Sequence, residues 1–227
     1  MFLTDNDGRI TLPGRHKVTR VFDADAGALP VGWTVGAAAT EDTGVASVWQ
    51  SGDAGPPGLL LTSGTATGTS STQRRRAALI GPSFDASKCS GVRLRAVFTG
   101  GAVTNVLPRL GLGSTAGLST VGATLLHQTA AGQCKLFTNG SAGSTNREVP
   151  FKWIPSVRHV LTMFWIPKEG YIAVAVEDDA VFYMEKLDPV TTLQAGSVQP
   201  IVGATAQANG LVASGVVHRL ELDMHYA

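Results

Sequence analysis

The groups in this 227-residue chain that could do chemistry are 17 carboxylates, 18 lysines and arginines, five histidines and two cysteines. Acid–base bond cleavage needs two carboxylates facing one groove. The densest cluster is Glu177, Asp178 and Asp179, but neighbours along an extended chain point to opposite sides, and a reversal would place all three in a solvated turn. No G-x-S-x-G nucleophile motif occurs, and His16, His127, His159, His218 and His225 show no metal-type pairing such as H-x-x-x-H. The run Asp5, Asn6, Asp7, Gly8 opens like a calcium loop yet lacks the glutamate that would complete it. Cys89 and Cys134 stand apart without CxxC spacing and read as two buried thiols, not a bridge. No catalytic set, metal site or cofactor is therefore expected.

Two residue groups remain as binding candidates. Arg74, Arg75 and Arg76 form the only run of basic charge, which suits either a solvated strand entrance or an assembly contact to an acidic neighbour or phosphate. Of the four tryptophans, Trp33 and Trp165 lie in strand-like patterns and should belong to the core. Trp49, before a Gly/Pro loop, and Trp153, between Pro150 and Pro155, are placed to stack on a sugar ring.

The framework that must position these groups is β. Gly 27, Thr 23 and Ser 15 make up more than a quarter of the chain, while Glu and Lys number six each, which removes the residues that fill exposed helix faces and excludes a helical bundle. A formal charge of +1 gives no footprint for nucleic acid. The first residues contain no basic start leading into an apolar run, so no export signal is expected, and no stretch reaches the length needed to cross a bilayer. Residues 1–19 are polar and turn-rich and read as an N-terminal arm; residues 20–227 read as one sandwich domain.

Within that domain VRLRAVF at 92–98 alternates, with Val92, Leu94, Ala96 and Phe98 inward and Arg93 and Arg95 outward. HVLTMFWI at 159–166 is nearly continuous in apolar and bulky residues and should lie centrally with both faces covered. YIAVAVEDDAVFYME at 171–185 predicts a hairpin turning at the acidic cluster, and the Gly- and Thr-punctuated stretch 100–145 predicts a meander. HRLELDMHY at 218–226 sets Leu220, Leu222, Met224 and Tyr226 inward against Arg219, Glu221, Asp223 and His225.

FDADAGALPVGWT at 22–34 resembles the opening of concanavalin-like and laminin-G-like jelly rolls. SFDASKCSGVRLRAVF, GYIAVAVEDDAVFYME and LQAGSVQPIVGATAQ follow in the order such domains use, although Asp179 stands where the usual turn glycine would be. The resemblance implies an all-β antiparallel sandwich. Glycan hydrolases of this shape share an E-x-D-x-x-E strand, which is missing, and related lyases share Q-x-H and R-x-E-L-R strands, which are missing too. Domains of this kind also resemble minor tail and baseplate proteins of bacteriophages. That likeness implies a non-enzymatic structural virion protein, made in the host cytoplasm, with other virion proteins and copies of itself as partners, and possible contact with a host-surface glycan. The alternative is a lectin-like module using Trp49 and Trp153, with a glycan hydrolase or lyase as the third reading.

Overall fold

The computed structural model describes residues 3–4, 10–36, 46–50, 57–68, 75–101, 106–113, 124–128, 134–140, 143–176, 180–186, 197–206 and 208–227. Among the described residues eighteen strands form two eight-stranded sheets and one small hairpin. The hairpin pairs β1 (Leu3–Thr4) with β2 (Ile10–Thr11). The first large sheet runs β16 (Ala180–Lys186), β15 (Tyr171–Val176), β14 (Arg158–Ile166), β9 (Cys89–Gly100), β18 (Val212–Tyr226), β6 (Gly58–Thr65) and β5 (Ala46–Gln50), with β3 (His16–Asp23) beside β18. The second runs β13 (Gly143–Val149), β12 (Cys134–Gly140), β11 (Thr124–Gln128), β10 (Val106–Gly113), β17 (Ser197–Ala206), β7 (Arg75–Ile80) and β4 (Thr34–Val35), with β8 (Phe84–Asp85) beside β17. All of the pairings are antiparallel. The expected antiparallel sandwich is what the chain forms.

The core lies between the two large sheets because period-two alternation turns one side of each strand inward. From the β18 sheet come Val92, Leu94, Ala96 and Phe98, Leu161, Met163 and Trp165, and Leu220, Leu222 and Met224; from the β17 sheet come Ala77, Leu79, Leu110, Leu112, Leu136, Val198 and Val202. Each fully buried leucine contributes about 1.5–3 kcal/mol of transfer free energy. β14 lies centrally between β15 and β9, buried on its inner face and covered only in part on the other, where Val160 and Phe164 are half-buried; Trp33 and Trp165 are core residues, as the sequence predicts. β10 to β13 form the expected meander. β15 and β16 form the expected hairpin, with Val176 opposite Ala180; Glu177, Asp178 and Asp179 lie outside the described residues.

One strand departs from simple alternation. In β18 the inward-facing residues are Ala213, Gly215 and Val217 up to the middle, then Leu220, Leu222 and Met224. The phase changes because His218 is the extra residue of a β-bulge: Val217 faces Phe98 and Arg219 faces Val97, with His218 between them. Its ring spans from Nδ1 to the Pro57 carbonyl at 2.8 Å and from Nε2 to the Thr99 hydroxyl at 3.0 Å. Burial, helped by the neighbouring charge of Arg158, outweighs the raising effect of that carbonyl and keeps its pKa below the ordinary histidine value.

The segment before β3 lies back on its own sheet. Ile10 and Leu12 pack on Ile166, Ala173 and Phe164, on the side of the β18 sheet away from the core. Leu12 sits over Gly91, where a Cβ would meet the leucine at 2.9 Å. The Ser90 hydroxyl donates to the Pro13 carbonyl at 2.5 Å, and the Arg15 N–H donates to the Tyr226 carbonyl at 2.9 Å.

Candidate functional site

The two tryptophans singled out for sugar stacking do not form one site. Trp153 is only 3% exposed, and Phe98, Phe151 and His159 surround it edge-on with ring centroids 5.6–5.8 Å away. Its rings are committed to the core, which corrects the expectation that flanking prolines leave it open. Trp49 is half-buried and stacks on Phe22 at 5.9 Å, so one of its faces is already taken. The Arg74–Arg76 run is corrected at its last member: Arg76 is 0% exposed and makes no surface assembly contact. Arg75 is half-buried, and Arg74 lies outside the described residues. Both cysteines are unbridged and buried, and burial pushes the Cys134 thiol up to about 12.

The outer face of the β18 sheet carries the nearest approach to a carboxylate pair. Glu221 and Asp223 are two residues apart on one side of β18. Asp223, 2% exposed, accepts from the Thr19 hydroxyl at 2.6 Å, from Arg93 at 2.7 Å and from Lys17 at 3.3 Å. Glu221 accepts from Arg219 at 2.6 Å, with Arg93 at 3.5 Å and Arg95 at 4.0 Å, and Arg219 also donates to Asp23 at 2.8 Å. Burial pushes the Asp223 carboxyl up, but Thr19, Arg93 and Lys17 together hold it below the usual carboxylate value. A general acid requires the opposite shift. This ladder, three carboxylates among four cations, is a brace across β3, β18 and β9.

The outer face of the β17 sheet is different. Arg76 on β7 pairs in register with Thr205 on β17, and Arg109 on β10 pairs with Gly203, so the two arginines flank β17 one row apart. Ala78 and Ile80 share a side of β7 with Arg76, and Ile201 shares a side of β17 with Thr205; all are buried although none belongs to the central core. Arg109 is 6% exposed, and the Thr205 hydroxyl is buried without a hydrogen-bond partner. Both guanidiniums also interact within the chain. β7 and β17 approach so closely at Gly203 that a Cβ there would run into the Ala77 carbonyl. From Arg109 the register continues through His127 and Lys135 to Glu148, moving from the covered centre to the exposed edge. The strands of this sheet carry Arg75, Arg76, Arg109, Lys135 and Arg147, against Asp85 and Glu148 as their only carboxylates. Those two stand on β8 and on the edge strand β13. Sequence reasoning singled out Arg76 but passed over Arg109 and Thr205. The apolar Ala78 and Ile80 sharing a side with Arg76 were the available sign that this face is covered.

Solved structures share this fold over most of their length. A family 16 glycoside hydrolase, an endo-glucanase from Bacteroides ovatus, is similar with a TM-score of 0.59 and 10% identity, over 89% of this chain and 99% of that one. An endo-β-galactosidase from Clostridium perfringens is similar with a TM-score of 0.61 and 10% identity, over 98% of this chain and 65% of that one. A carbohydrate esterase from the Shiga toxin-encoding bacteriophage phi24B is similar with a TM-score of 0.54 and 14% identity, over 90% and 97%. The fold is a concanavalin-like jelly roll. No known family model matches the sequence, and no curated protein matches it. The expectation of a non-enzymatic structural virion protein is overturned by these likenesses, which are to carbohydrate-active enzymes. Among the described residues no group of three or more His, Cys, Asp or Glu gathers to hold a metal ion, and no helix is long and apolar enough to cross a membrane.

Proposed function

We propose that this protein is carbohydrate-active. The observation that carries the reading is the architecture shared with three carbohydrate-active enzymes over 89–98% of this chain. On the β18 sheet the carboxylates are matched by cations and the apolar patch is capped by Ile10 and Leu12. On the β17 sheet Arg76, Arg109 and Thr205 put polar groups at the sheet's centre, where a sandwich otherwise places small or apolar side chains, and the Thr205 hydroxyl has no partner.

The likeness to glycan-cleaving and glycan-deacylating enzymes supports the same substrate class. Glycosidic cleavage uses two carboxylates on either side of the bond, and on the strands of this sheet the two carboxylates stand on β8 and β13, at opposite margins. The test therefore reads both binding and turnover. The full chain is incubated with a panel of polysaccharides; retention on at least one, together with new reducing ends or released ester acids, is expected. Neither retention nor product on any member of the panel would overturn the reading.

A further inference from the structure

We infer that Thr99 and His218 form a nucleophile and its base, set to hydrolyse a short acyl ester carried on the saccharide. This deepens the proposed function and rests on it: the substrate class is that reading's, and the reaction type is what the site adds. The two partners of the His218 ring fix its proton. The Pro57 carbonyl can only accept, so Nδ1 carries the hydrogen across 2.8 Å; in the neutral ring Nε2 is then the acceptor, and the Thr99 hydroxyl donates to it across 3.0 Å. A hydroxyl donating to an imidazole whose far side is tied to a fixed acceptor is the arrangement that activates an oxygen nucleophile. Burial, which holds the ring's pKa below the ordinary histidine value, keeps it unprotonated at neutral pH, the state a base needs.

Two irregularities of the sheet hold this ring. His218 is the extra residue of the β18 bulge, which re-aims its side chain. Gly58 clears the way to Pro57: a Cβ there would run into Val216 and stand 3.2 Å from His218 Nδ1. Thr99 and His218 are half-buried on the outer face of the β18 sheet, at the opposite end of β9 from Gly91 and the N-terminal segment that covers it. Arg158 is exposed, stands directly opposite Thr99 on β14, and lies close enough for its charge to act on the His218 ring. It is the donor for the negative oxygen that forms when the carbonyl is attacked. Val216 faces Thr99 from the other side, so the hydroxyl lies in a floor that a small acyl group reaches more readily than a bulky one.

In the first half of the reaction Thr99 Oγ1 bonds to the ester carbonyl carbon as its proton passes to His218 Nε2. The bond from that carbon to the saccharide oxygen then breaks, and Nε2 gives the proton to the departing oxygen, leaving an acyl-threonine. In the second half water attacks the same carbon and gives a proton to Nε2; the bond to Oγ1 breaks and the proton restores the Thr99 hydroxyl. One ester and one water become one acid and one alcohol. The reaction needs one nucleophile and one base, not the carboxylate pair of glycoside cleavage.

The experiment incubates the full chain with O-acetylated xylan and O-acetylated pectin, each beside its deacetylated form, and measures retention and released acetate. Release is expected from at least one, with an acetyl adduct on the Thr99 peptide when turnover is quenched in acid and read by mass spectrometry. Thr99→Val, which keeps the side-chain shape, and His218→Gln, which keeps a donor but no base, should each lower release about hundredfold or more. Thr99→Ser, which keeps the hydroxyl, should retain the greater part. Retention without acetate, or release that survives in Thr99→Val or is lost equally in Thr99→Ser, would overturn the inference and leave the carbohydrate reading standing. Neither retention nor acetate would remove both.

Discussion

Ser156 has φ 60°, the only positive value at a non-glycine position among the described residues. It follows Pro155 in a turn closed by the Val157 N–H on the Ile154 carbonyl at 3.2 Å, the place where a type II turn demands left-handed backbone. Ser156→Gly should relieve about 1 kcal/mol, visible as a raised midpoint in chemical denaturation; an unchanged or lowered midpoint would show that the loop supports the serine in another way. Asp223 sets a second expectation. Its folded pKa lies below the unfolded value, so its stabilisation is present above that value, near 3.8, and is lost as pH falls through the folded one. His218 and His225 are also lowered, chiefly by burial, so they lose stability on acidification too, beginning near their unfolded value of 6.5. Unfolding free energy should therefore decline from about pH 7 and fall again below about pH 4. Asp223→Asn should cost roughly 1.5–3 kcal/mol at neutral pH and flatten the lower limb. A stability profile level from neutral to acid would contradict this account. At this scale legibility was uneven. Trp33 and Trp165 could be placed from their neighbours, whereas the surroundings of Trp153 come from Phe98 on a strand more than fifty positions away.

Strands were readable where alternation was unbroken, as in β9 and β14, and harder to follow where it changed phase. In β18 the inward set moves from Ala213, Gly215 and Val217 to Leu220, Leu222 and Met224, and that shift was already written in the sequence as a displaced period-two pattern. Because the bulge absorbs one residue, deleting His218 leaves a regular strand that still turns both apolar sets inward. The deletion variant should fold, losing only the ties to Pro57 and Thr99, about 1–2 kcal/mol. Inserting one alanine in the next strand segment, between Leu220 and Glu221, should instead abolish folding, because it exposes Leu222 and Met224. Circular dichroism and a denaturation curve on both variants decide the matter, and an unfolded deletion variant would mean that the bulge supplies needed curvature. Gly203 belongs to the same scale: Gly203→Ala would press a methyl into the Ala77 carbonyl and should cost about 1–3 kcal/mol.

The architecture followed from composition and turn spacing because a sandwich needs only a repeated pattern, and residue types alone report it. The candidate site did not, since Arg76, Arg109 and Thr205 come from three strands that only register brings together. The N-terminal segment makes the same point: Ile10 and Leu12 show no periodic pattern, yet Gly91 and Ala173 make a seat for them. Removing residues 1–13 should uncover Ile166, Ala173 and Phe164 and turn a well-behaved protein into one that self-associates, seen as a concentration-dependent rise in light scattering. An unchanged mass across concentrations would show that the patch is too small to drive association.

β17 and β18 sit at the middle of their sheets, and each holds two shorter strands end to end along one side. They are also the last two strands in the sequence, and β3 closes onto β18 from about two hundred positions away. During synthesis, then, neither sheet can zip up until residues 197–226 have left the ribosome. Until then the nascent chain exists as unjoined half-sheets with open edges, the state in which a holdase would matter most.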